Sequence, residues 1–269
     1  MRIYEQTAPL KDFLQLEHSA FSAWPALEQY QFLGIIVRSS QGYTKRANSA
    51  NVLAIAPHEY LKVLAHVEEY FKRCSLASIF RLPLFESQLS HQQVLDFDDH
   101  LQHKGYAYQD KSLVYQKQLK VPLQLADYQT IPAHYTLLNL EQWLAAFCQF
   151  KYGQQVDKNR YVEPHLAILK RIKTRVIPAV LLVDNQIVCC ALGVVDGDVI
   201  GLFDVITKPD QRGKGYAQQL ITRMLNDAST EHIKKSYLQV VADNTAALGL
   251  YEKLGFTLSY QYWYRVKEI

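Results

Sequence analysis

The sequence has little of the material from which disulfide frameworks, metal clusters or membrane spans are built. It holds four cysteines, and their spacing matches neither a metal motif nor a disulfide framework. Cys189 and Cys190 are adjacent, so in a strand they would face opposite sides, as small core residues in a reducing cytosol. No apolar run approaches the length of a membrane span, and residues 1–10 lack the apolar core of a signal peptide. We therefore expect a cytoplasmic protein with no metal and no membrane partner.

The chain also lacks a large excess of charge of either sign. The chain has 29 Lys and Arg against 26 Asp and Glu, and its net charge of +3 is too small to indicate nucleic acid as a partner. Apolar residues, by contrast, reach 49% and charged residues 20%, which is typical of a soluble globular protein with a sizeable core. A length of 269 residues allows one large or two ordinary domains.

Glycine is sparse, but two glycines fall within one basic turn. The apolar run Val199–Thr207 predicts a strand, which a proline ends, and the turn Arg212–Ala217 follows. A helix is then predicted by apolar residues at helical spacing, namely Ala217, Leu220, Ile221, Met224, Leu225 and Ala228. A strand, a glycine turn and a helix together aim free backbone N–H groups and a helix N-terminus at an anion. With Arg212 and Lys214 adding positive charge, this stretch predicts a phosphate-binding site.

Three familiar phosphate or nucleic-acid motifs do not fit this turn. The nucleotide-triphosphate loop requires G-x-x-x-x-G-K-[ST], which is absent. The dinucleotide fingerprint G-x-G-x-x-G fails because Gln218 stands where its third glycine belongs. The RNA-binding motif needs aromatic residues where this chain has Gln218 and Ile221.

A second segment repeats the same construction farther along. Residues 237–241 read as a buried strand, and Asp243-Asn244-Thr245 supplies a helix cap. Apolar residues then recur at helical spacing up to Leu254, and Gly255 stands where a glycine ends a helix. This predicts a second strand, turn and helix.

Together the two segments resemble the GNAT superfamily of acyl-CoA-dependent N-acyltransferases. The turn Arg212–Ala217 matches the pyrophosphate signature R-x-x-G-x-A, preceded by a strand and a proline as in that family. The string V-x-D-N-x-x-A-x-x-L-Y-x-K-L-G-F from Val241 to Phe256 resembles the second signature. The resemblance covers roughly half of the chain, from around Leu123 to the C-terminus, and two motifs in the right order and context are specific. It implies an α/β fold with a mixed, mostly antiparallel sheet flanked by helices.

The N-terminal half resembles the degenerate first unit of tandem-GNAT proteins. Its polar segment Tyr43–Asn51 contains Thr-Lys-Arg-Ala-Asn-Ser, a string found in such units; the segment reads either as an exposed strand edge or as a surface facing a ligand. Residues 57–119 and 215–266 both read helix, strand, helix, strand, and this weak repeat indicates a duplicated unit, with chance as the alternative. The first copy has no phosphate turn, so only the second is expected to bind acyl-CoA.

The prolines of Val121–Pro132 mark the expected junction. We expect a degenerate GNAT-like domain over residues 1–122 and an acetyl-CoA-binding GNAT domain over 123–269. In the second domain, Asn139 with Gln142 resembles a capping box that opens a helix. This helix, the following loop and the next helix occupy the place where GNAT enzymes vary to select their acceptor.

The resemblance implies acetyl-CoA as co-substrate and assigns its contacts. The pyrophosphate would lie on Arg212, Gly213, Lys214, Gly215, Tyr216 and Ala217. The pantetheine arm would lie between two splayed strands, along the backbone of Val205, Ile206 and Thr207, where an N–H group can also stabilise an oxyanion. Asn244 matches a position that contacts the cofactor, although helix capping explains it equally well.

The implied reaction is a direct attack of a bound amine on the thioester within a ternary complex. Tyr251 matches the tyrosine that protonates the departing thiolate, with packing on the sheet as the alternative. Asp204 is the candidate base or amine anchor, because a carboxylate within an apolar strand requires an explanation. The alternative explanation is that Asp204 is a charge paired at the edge of the sheet. His165 is a weaker candidate.

The sequence thus predicts an acetyl-CoA-dependent N-acetyltransferase acting on a primary amine of a small molecule. The sequence does not determine the acceptor or the oligomeric state, although a cleft between the units, lined by Arg46, Asn48 and aromatic residues, suggests a small polar amine or an amino acid rather than a protein tail. The alternatives are a non-catalytic module that senses acyl-CoA or an amine, and a structural partner that docks through its first half.

Overall fold

A computed structural model describes residues 8–85, 88–119 and 133–268. The helices are α1 (Ala8–Ala23), α2 (Tyr60–Arg73), α3 (Gln88–His103), α4 (Leu140–Tyr152), α5 (Glu163–Leu169), α6 (Tyr216–Thr230) and α7 (Thr245–Lys253). The strands are β1 (Glu28–Phe32), β2 (Ile35–Ser39), β3 (Ser49–Val52), β4 (Ser78–Leu84), β5 (Ala107–Gln118), β6 (His134–Leu137), β7 (Arg175–Val183), β8 (Gln186–Asp196), β9 (Val199–Thr207), β10 (Lys235–Val241) and β11 (Thr257–Lys267). The expected junction at Val121–Pro132 lies outside the described residues.

All eleven strands belong to one sheet, in the order β1-β2-β3-β4-β11-β5-β10-β9-β8-β7-β6. Two pairs are parallel, β3 with β4 and β9 with β10, and the remaining pairs are antiparallel. The predicted α/β class with a mixed, mostly antiparallel sheet is confirmed. The sheet runs without interruption through both halves of the chain.

The internal repeat is confirmed as two equivalent runs of elements, α2-β4-α3-β5 and α6-β10-α7-β11. The two runs interlock at the centre of the sheet. β11 lies between β4 and β5, and β5 lies between β11 and β10. Each half therefore inserts its last strand into the other half, so the two repeats share one hydrogen-bonded framework.

Apolar side chains cover both faces of the sheet. One cluster beneath α6 includes Leu202, Leu220 and Tyr251, and another beneath α1 and α4 includes Trp143, Phe203 and Tyr262. Cys189 and Cys190 belong to opposite clusters and are free thiols, as their adjacency in a strand predicted.

A buried ion pair ties α1 to the central strands. The guanidinium of Arg81 on β4 donates to both carboxylate oxygens of Glu17 at 2.5 and 2.9 Å, and the hydroxyl of Tyr260 on β11 donates to the same carboxylate. Arg81 also lies 3.8 Å from the ring centroid of Tyr262. Fully buried charges are stable only when paired in this way, so the pair fixes the rotamers beneath β11.

Two predicted strands differ from the structure. The apolar run from Phe32 to Arg38 predicts one strand, but in the structure a tight turn between β1 and β2 breaks it. A Cβ on Gly34 would lie 1.9 Å from the carbonyl oxygen of Ala54, so this turn requires glycine. The apolar residues of Val52–Ala56 likewise predict a strand, whereas the strand in the structure, β3, covers Ser49–Val52.

The polar segment Tyr43–Asn51 is not an exposed strand edge. Asn48, Ser49 and Asn51 are at most 3% exposed. The side-chain oxygen of Asn48 accepts hydrogen bonds from the N–H groups of Ser40 at 2.7 Å and Gly42 at 2.9 Å. The segment is a turn that leads into the buried strand β3, and its other interpretation, a surface facing a ligand, remains a prediction.

Candidate active site

The sheet opens where β9 and β10 part. Their parallel pairing runs only as far as Leu202 and Leu238. Beyond that point β9 follows β8 as far as Thr207, while β10 follows β5 as far as Val241. Among the described residues, the facing edges of the two strands have no strand partner there, which leaves backbone N–H and C=O groups available to a bound molecule.

A bulge in β9 lies at this opening. Phe203 pairs with Leu192 and Ile206 pairs with Cys190, so β9 has one residue more than β8 between the two pairs. The bulge contains Asp204, whose φ of 49° is rare for a residue other than glycine. Such strain is sustained by surrounding structure and is common at functional sites.

The opening leads into a cleft of about 430 Å³ that both halves of the chain build. It is lined by Thr44, Lys45, Arg46, Asp110, Ser112, Lys151, Leu202, Phe203, Asp204, Val205, Gln239, Val240, Val241, Asn244, Ala247, Tyr251, Tyr262 and Tyr264. Tyr251 packs in the cluster under α6, whereas Phe203 and Tyr262 pack in the cluster on the other face. Side chains that pack on both faces of the sheet therefore line the cleft.

Asp204 is paired with a buried imidazole. Nε2 of His165 lies 3.1 Å from Oδ2 of Asp204, and the His165 side chain is 2% exposed. Burial raises the pKa of Asp204, but the hydrogen bond and charge of His165, with the charges of Arg46 and Lys151, outweigh burial and lower this pKa overall. Asp204 is thus a carboxylate held ionised at the cleft wall.

Aromatic rings hold His165 in place. Its ring centroid lies 5.0 Å from that of Trp24, 5.4 Å from that of Phe147 and 5.9 Å from that of Tyr43. Nδ1 of His165 has no hydrogen-bond partner among the residues that the structure describes. The imidazole is therefore oriented by packing and by Asp204 alone.

Tyr251 lies on α7 with its side chain in the cleft wall and is 8% exposed. Burial, followed by the neighbouring Cys189, raises its pKa to about 12. The phenol is therefore protonated at neutral pH and can act as a proton donor. Within the described chain, no hydrogen bond engages its hydroxyl.

The predicted phosphate turn Arg212–Ala217 is exposed on its outer side. Gly213 and Gly215 have φ of 77° and 82°, which only glycine adopts readily, and Gly215 is the residue that caps α6. No side chain caps this helix, and across the described residues no hydrogen bond uses the N–H groups of residues 213–217. The turn presents consecutive free amides at a helix N-terminus, with Arg212 and Lys214 beside them.

The comparisons with known proteins agree with this geometry. Residues 137–256 match the acetyltransferase (GNAT) family, and residues 11–96 match a family described as "Probable histone acetyltransferase Rv0428c C-terminal". The chain contains a GNAT acetyltransferase domain. It is 25% identical over 262 residues to "Uncharacterized N-acetyltransferase YobR" of Bacillus subtilis (strain 168), covering 96% of this chain and 100% of that protein.

Solved structures show the same fold at low sequence identity. A GCN5-related N-acetyltransferase from Kribbella flavida superposes with a TM-score of 0.68 at 12% identity, covering 98% of this chain and 96% of that one. A tandem GNAT protein from the clavulanic acid biosynthesis pathway superposes with a TM-score of 0.63 at 11% identity, covering 87% and 77%. The expected relation to tandem-GNAT proteins is confirmed at the level of the fold.

The GNAT domain places the predicted site residues in two groups. Asp204, Val205, Asn244 and Tyr251 line the cleft, while Ile206 and Thr207 continue the same free edge of β9 toward the phosphate turn. Residues 212–217 lie outside the cleft, next to the end of β9, where Nε of Arg212 donates to the carbonyl of Thr207 at 3.4 Å.

Asn244 has the capping role that the sequence also allowed. Its side-chain oxygen accepts a hydrogen bond from the N–H of Ala247 at 3.2 Å, at the start of α7. The same residue lines the cleft, so a cofactor contact remains a prediction alongside the cap.

Some cleft residues were not predicted. Gln239, Tyr262, Tyr264 and Lys151 all line it. The alternation of tyrosine at positions 260, 262 and 264 indicates that they share one face of a strand. Which face meets the cleft depends on the insertion of β11 between β4 and β5, which no local pattern encodes.

In residues 8–85, 88–119 and 133–268, no group of three or more His, Cys, Asp or Glu is arranged to hold a metal ion. Nor does that part of the chain contain a helix of the length and hydropathy needed to cross a bilayer.

Proposed function

We propose that this protein is a cytoplasmic acetyl-CoA-dependent N-acetyltransferase that acetylates a primary amine of a small molecule by direct attack in a ternary complex. The observation that supports this most strongly is the bulged opening between β9 and β10, which connects the exposed phosphate turn to a cleft holding Tyr251 and Asp204. The match to the GNAT family over residues 137–256 supports acetyl transfer in general.

The residues present fit acetyl-CoA. We expect the free amides of residues 213–217 and the side chains of Arg212 and Lys214 to hold its pyrophosphate. A Cβ added to Gly213 would meet no atom within 4 Å, so the turn leaves open space for a ligand. The free edge of β9 at Val205–Thr207 would pair with the amide groups of the pantetheine arm.

Acetyl-CoA would supply an activated acetyl thioester. The phenol of Tyr251 is available to protonate the departing sulfur, because its raised pKa keeps the proton in place at neutral pH. The ionised Asp204 can anchor the incoming ammonium group or accept its proton. Free N–H groups of β9 beyond Leu202 are the donors available to the thioester oxygen.

The experiment is thiol release from acetyl-CoA over a panel of small primary amines, with wild type and Tyr251→Phe compared. We expect Tyr251→Phe to lower kcat by about 100-fold, because a positioned general acid contributes roughly 10²–10⁴-fold. Acetyl-CoA affinity, measured by calorimetry, should change little. Tyr108→Phe, at a tyrosine that is 50% exposed, is the matched control and should leave kcat unchanged.

The same assay separates an enzyme from a binding module. Tight acetyl-CoA binding with no thiol release from any amine would contradict the proposed reaction and favour a sensor of acyl-CoA. Equal kcat for wild type and Tyr251→Phe would remove Tyr251 from the role of proton donor and leave the rest of the proposal intact.

A further inference from the structure

We propose that the acceptor carries a carboxylate as well as an amine, and that Arg46 and Lys151 bind this carboxylate. That the acceptor has an amine rests on the proposed function. That it also has a carboxylate is argued from the charges of the cleft and from the turn that holds Arg46.

Arg46 is presented by a rigid turn of the N-terminal half. It is the middle residue of the short helical turn Lys45–Ala47, and its carbonyl accepts a hydrogen bond from Arg38 at 2.7 Å. Nε1 of Trp24 donates to the hydroxyl of Thr44 at 3.1 Å, and the side chain of Asn48 donates to the carbonyl of Thr44 at 2.8 Å. A turn fixed by buried groups loses little further entropy when a ligand binds.

The guanidinium of Arg46 forms no ion pair with a described residue, although its charge contributes to the lowered pKa of Asp204. Its Cζ lies 4.7 Å from the ring centroid of Trp24 and 5.9 Å from that of Phe203. The residue is half-buried, and among the described residues its side chain makes no ion pair and no hydrogen bond. A planar cation that stacks on aromatic rings and keeps its N–H donors free is suited to bidentate binding of a carboxylate.

The charges around the cleft favour an anionic group. Lys45 is already paired with Asp110 at 2.6 Å, and Asp204 is paired with His165. Lys151, on α4, lies near the rings of Phe147 and Tyr152 and, like Arg46, has no ion pair in the described ranges. Neither cation is therefore engaged in an ion pair within the described part of the chain, and a polyamine would bring further positive charge to them.

The position of Arg46 argues against a role in holding cofactor phosphates. Its partner Phe203 packs on the face of the sheet opposite to Tyr251 and α6, and α6 carries the phosphate turn at its N-terminus. Asp204 follows Phe203 directly, so the unpaired cations and the candidate amine anchor adjoin one another in the cleft. This is the charge pattern that matches an amino acid or a similar small zwitterion.

The test compares each of the common L-amino acids with its α-amide, as substrates with acetyl-CoA and as ligands in calorimetry with coenzyme A present. For the best pair, we expect the free carboxylate to be favoured by about 10- to 100-fold in kcat/KM, the range for a charge-assisted hydrogen bond. Arg46→Gln should reduce that preference to within about threefold and leave acetyl-CoA affinity unchanged. Arg46→Lys should retain part of the preference, because charge remains without the fork of donors.

Arg73→Gln, at an exposed arginine on α2, is the matched control for loss of one positive charge and should keep the full preference. The inference is wrong if the amides react and bind as well as the acids, if no amino acid shows carboxylate-dependent binding, or if Arg46→Gln keeps the preference. Carboxylate-dependent binding without thiol release would leave the inference standing and overturn the proposed reaction. Thiol release from amines without any preference for a carboxylate would support the proposed reaction and overturn the inference about the carboxylate.

Discussion

The pairing of Asp204 with His165 helps to keep the Asp204 carboxyl group ionised at the cleft wall. A carboxylate at this position would be driven toward its neutral form by burial, and its pKa is lowered only because His165, Arg46 and Lys151 oppose that effect. An ionised Asp204 can bind an ammonium group, whereas a protonated one cannot. His165 is therefore a positioning residue, acting through Asp204.

His165→Phe should raise the pKa of Asp204, because burial remains and the first opposing partner is lost. The folded-state pKa of wild type lies below the unperturbed value of about 3.9, so its ionisation stabilises the fold above that pH and ceases to do so as pH falls through the folded pKa. We expect Asp204 of the variant to titrate at a higher pH than that of wild type, so that less of this stabilisation remains.

The measurement is ¹³C NMR titration of side-chain carboxyl groups, with Asp204→Asn used to assign the resonance. His66→Phe provides a matched control on α2, where Nε2 of His66 contacts the hydroxyl of Tyr30 at 3.1 Å, and it should leave Asp204 unchanged. An Asp204 resonance that titrates identically in wild type and His165→Phe would show that His165 does not hold its charge.

Single residues were predictable where the sequence breaks a local rule. Asp204 stands out as a charge in an apolar strand, and Tyr251 stands out within a long family string. Arg46 was proposed, with Asn48 and aromatic residues, to line a cleft between the two units. Its contacts with Trp24 and Phe203 were not predicted, because these residues lie 22 and 157 positions away in the sequence and pack against it only in the fold.

At the scale of elements, the phosphate turn is organised by backbone rather than by side chains. Gly213 has positive φ and open space where its Cβ would be, so packing against the described residues does not require a glycine there. Gly105, between α3 and β5, has φ of 84° and equally open space, but no helix N-terminus or basic residue of a phosphate motif follows it. The two glycines form a matched pair.

Gly213→Asn should weaken acetyl-CoA binding by about tenfold or more, because asparagine tolerates positive φ but fills the space intended for the pyrophosphate. Its free energy of unfolding should fall by no more than about 1 kcal/mol. Gly105→Asn should show the same small loss of stability and normal acetyl-CoA affinity. Calorimetry and denaturant unfolding measure the two quantities, and equal affinity in both variants would mean that the ligand does not approach Gly213.

Elements with strong local signals were predicted closely, and those decided by distant contacts were not. The cap at Asn139, which accepts from the N–H of Gln142 at 2.8 Å, opens α4 as expected. The turn at Gly34 was missed because its cause is the carbonyl of Ala54, twenty residues away. The short strand β6 also went unpredicted; it is placed by pairing with β7.

At the scale of the whole molecule, the insertion of each half's last strand into the other half decides the geometry of the cleft. β10 and β11 run parallel with β5 between them, and β4 and β5 run parallel with β11 between them. The cleft is lined by residues of β5 and of the turn at Lys45 as well as by β9, β10 and α7. The N-terminal half, which lacks a phosphate turn, is therefore a structural part of the site.

This arrangement predicts that residues 123–269 will not form the native cleft alone. Without residues 1–122, β10 would lose its partner β5 along its whole length, and β11 would lose both of its neighbours. Their exposed edges and apolar faces would then favour aggregation or rearrangement. We expect the fragment to be insoluble or non-native by circular dichroism and not to bind acetyl-CoA.

Co-expression supplies the complementary measurement. The fragments 1–122 and 123–269 should copurify and regain acetyl-CoA affinity within about tenfold of the intact chain, because a break between them removes only the effective concentration that the connection provides. Placing the break after residue 105 instead would give β5 to the C-terminal fragment, which would then keep the partner of β10. Of the two C-terminal fragments, the one with β5 should therefore be the more soluble. A monomeric, folded 123–269 fragment that binds acetyl-CoA as tightly as the full chain would contradict this prediction. It would show that the C-terminal half forms its binding site without β5 or any other part of the N-terminal half.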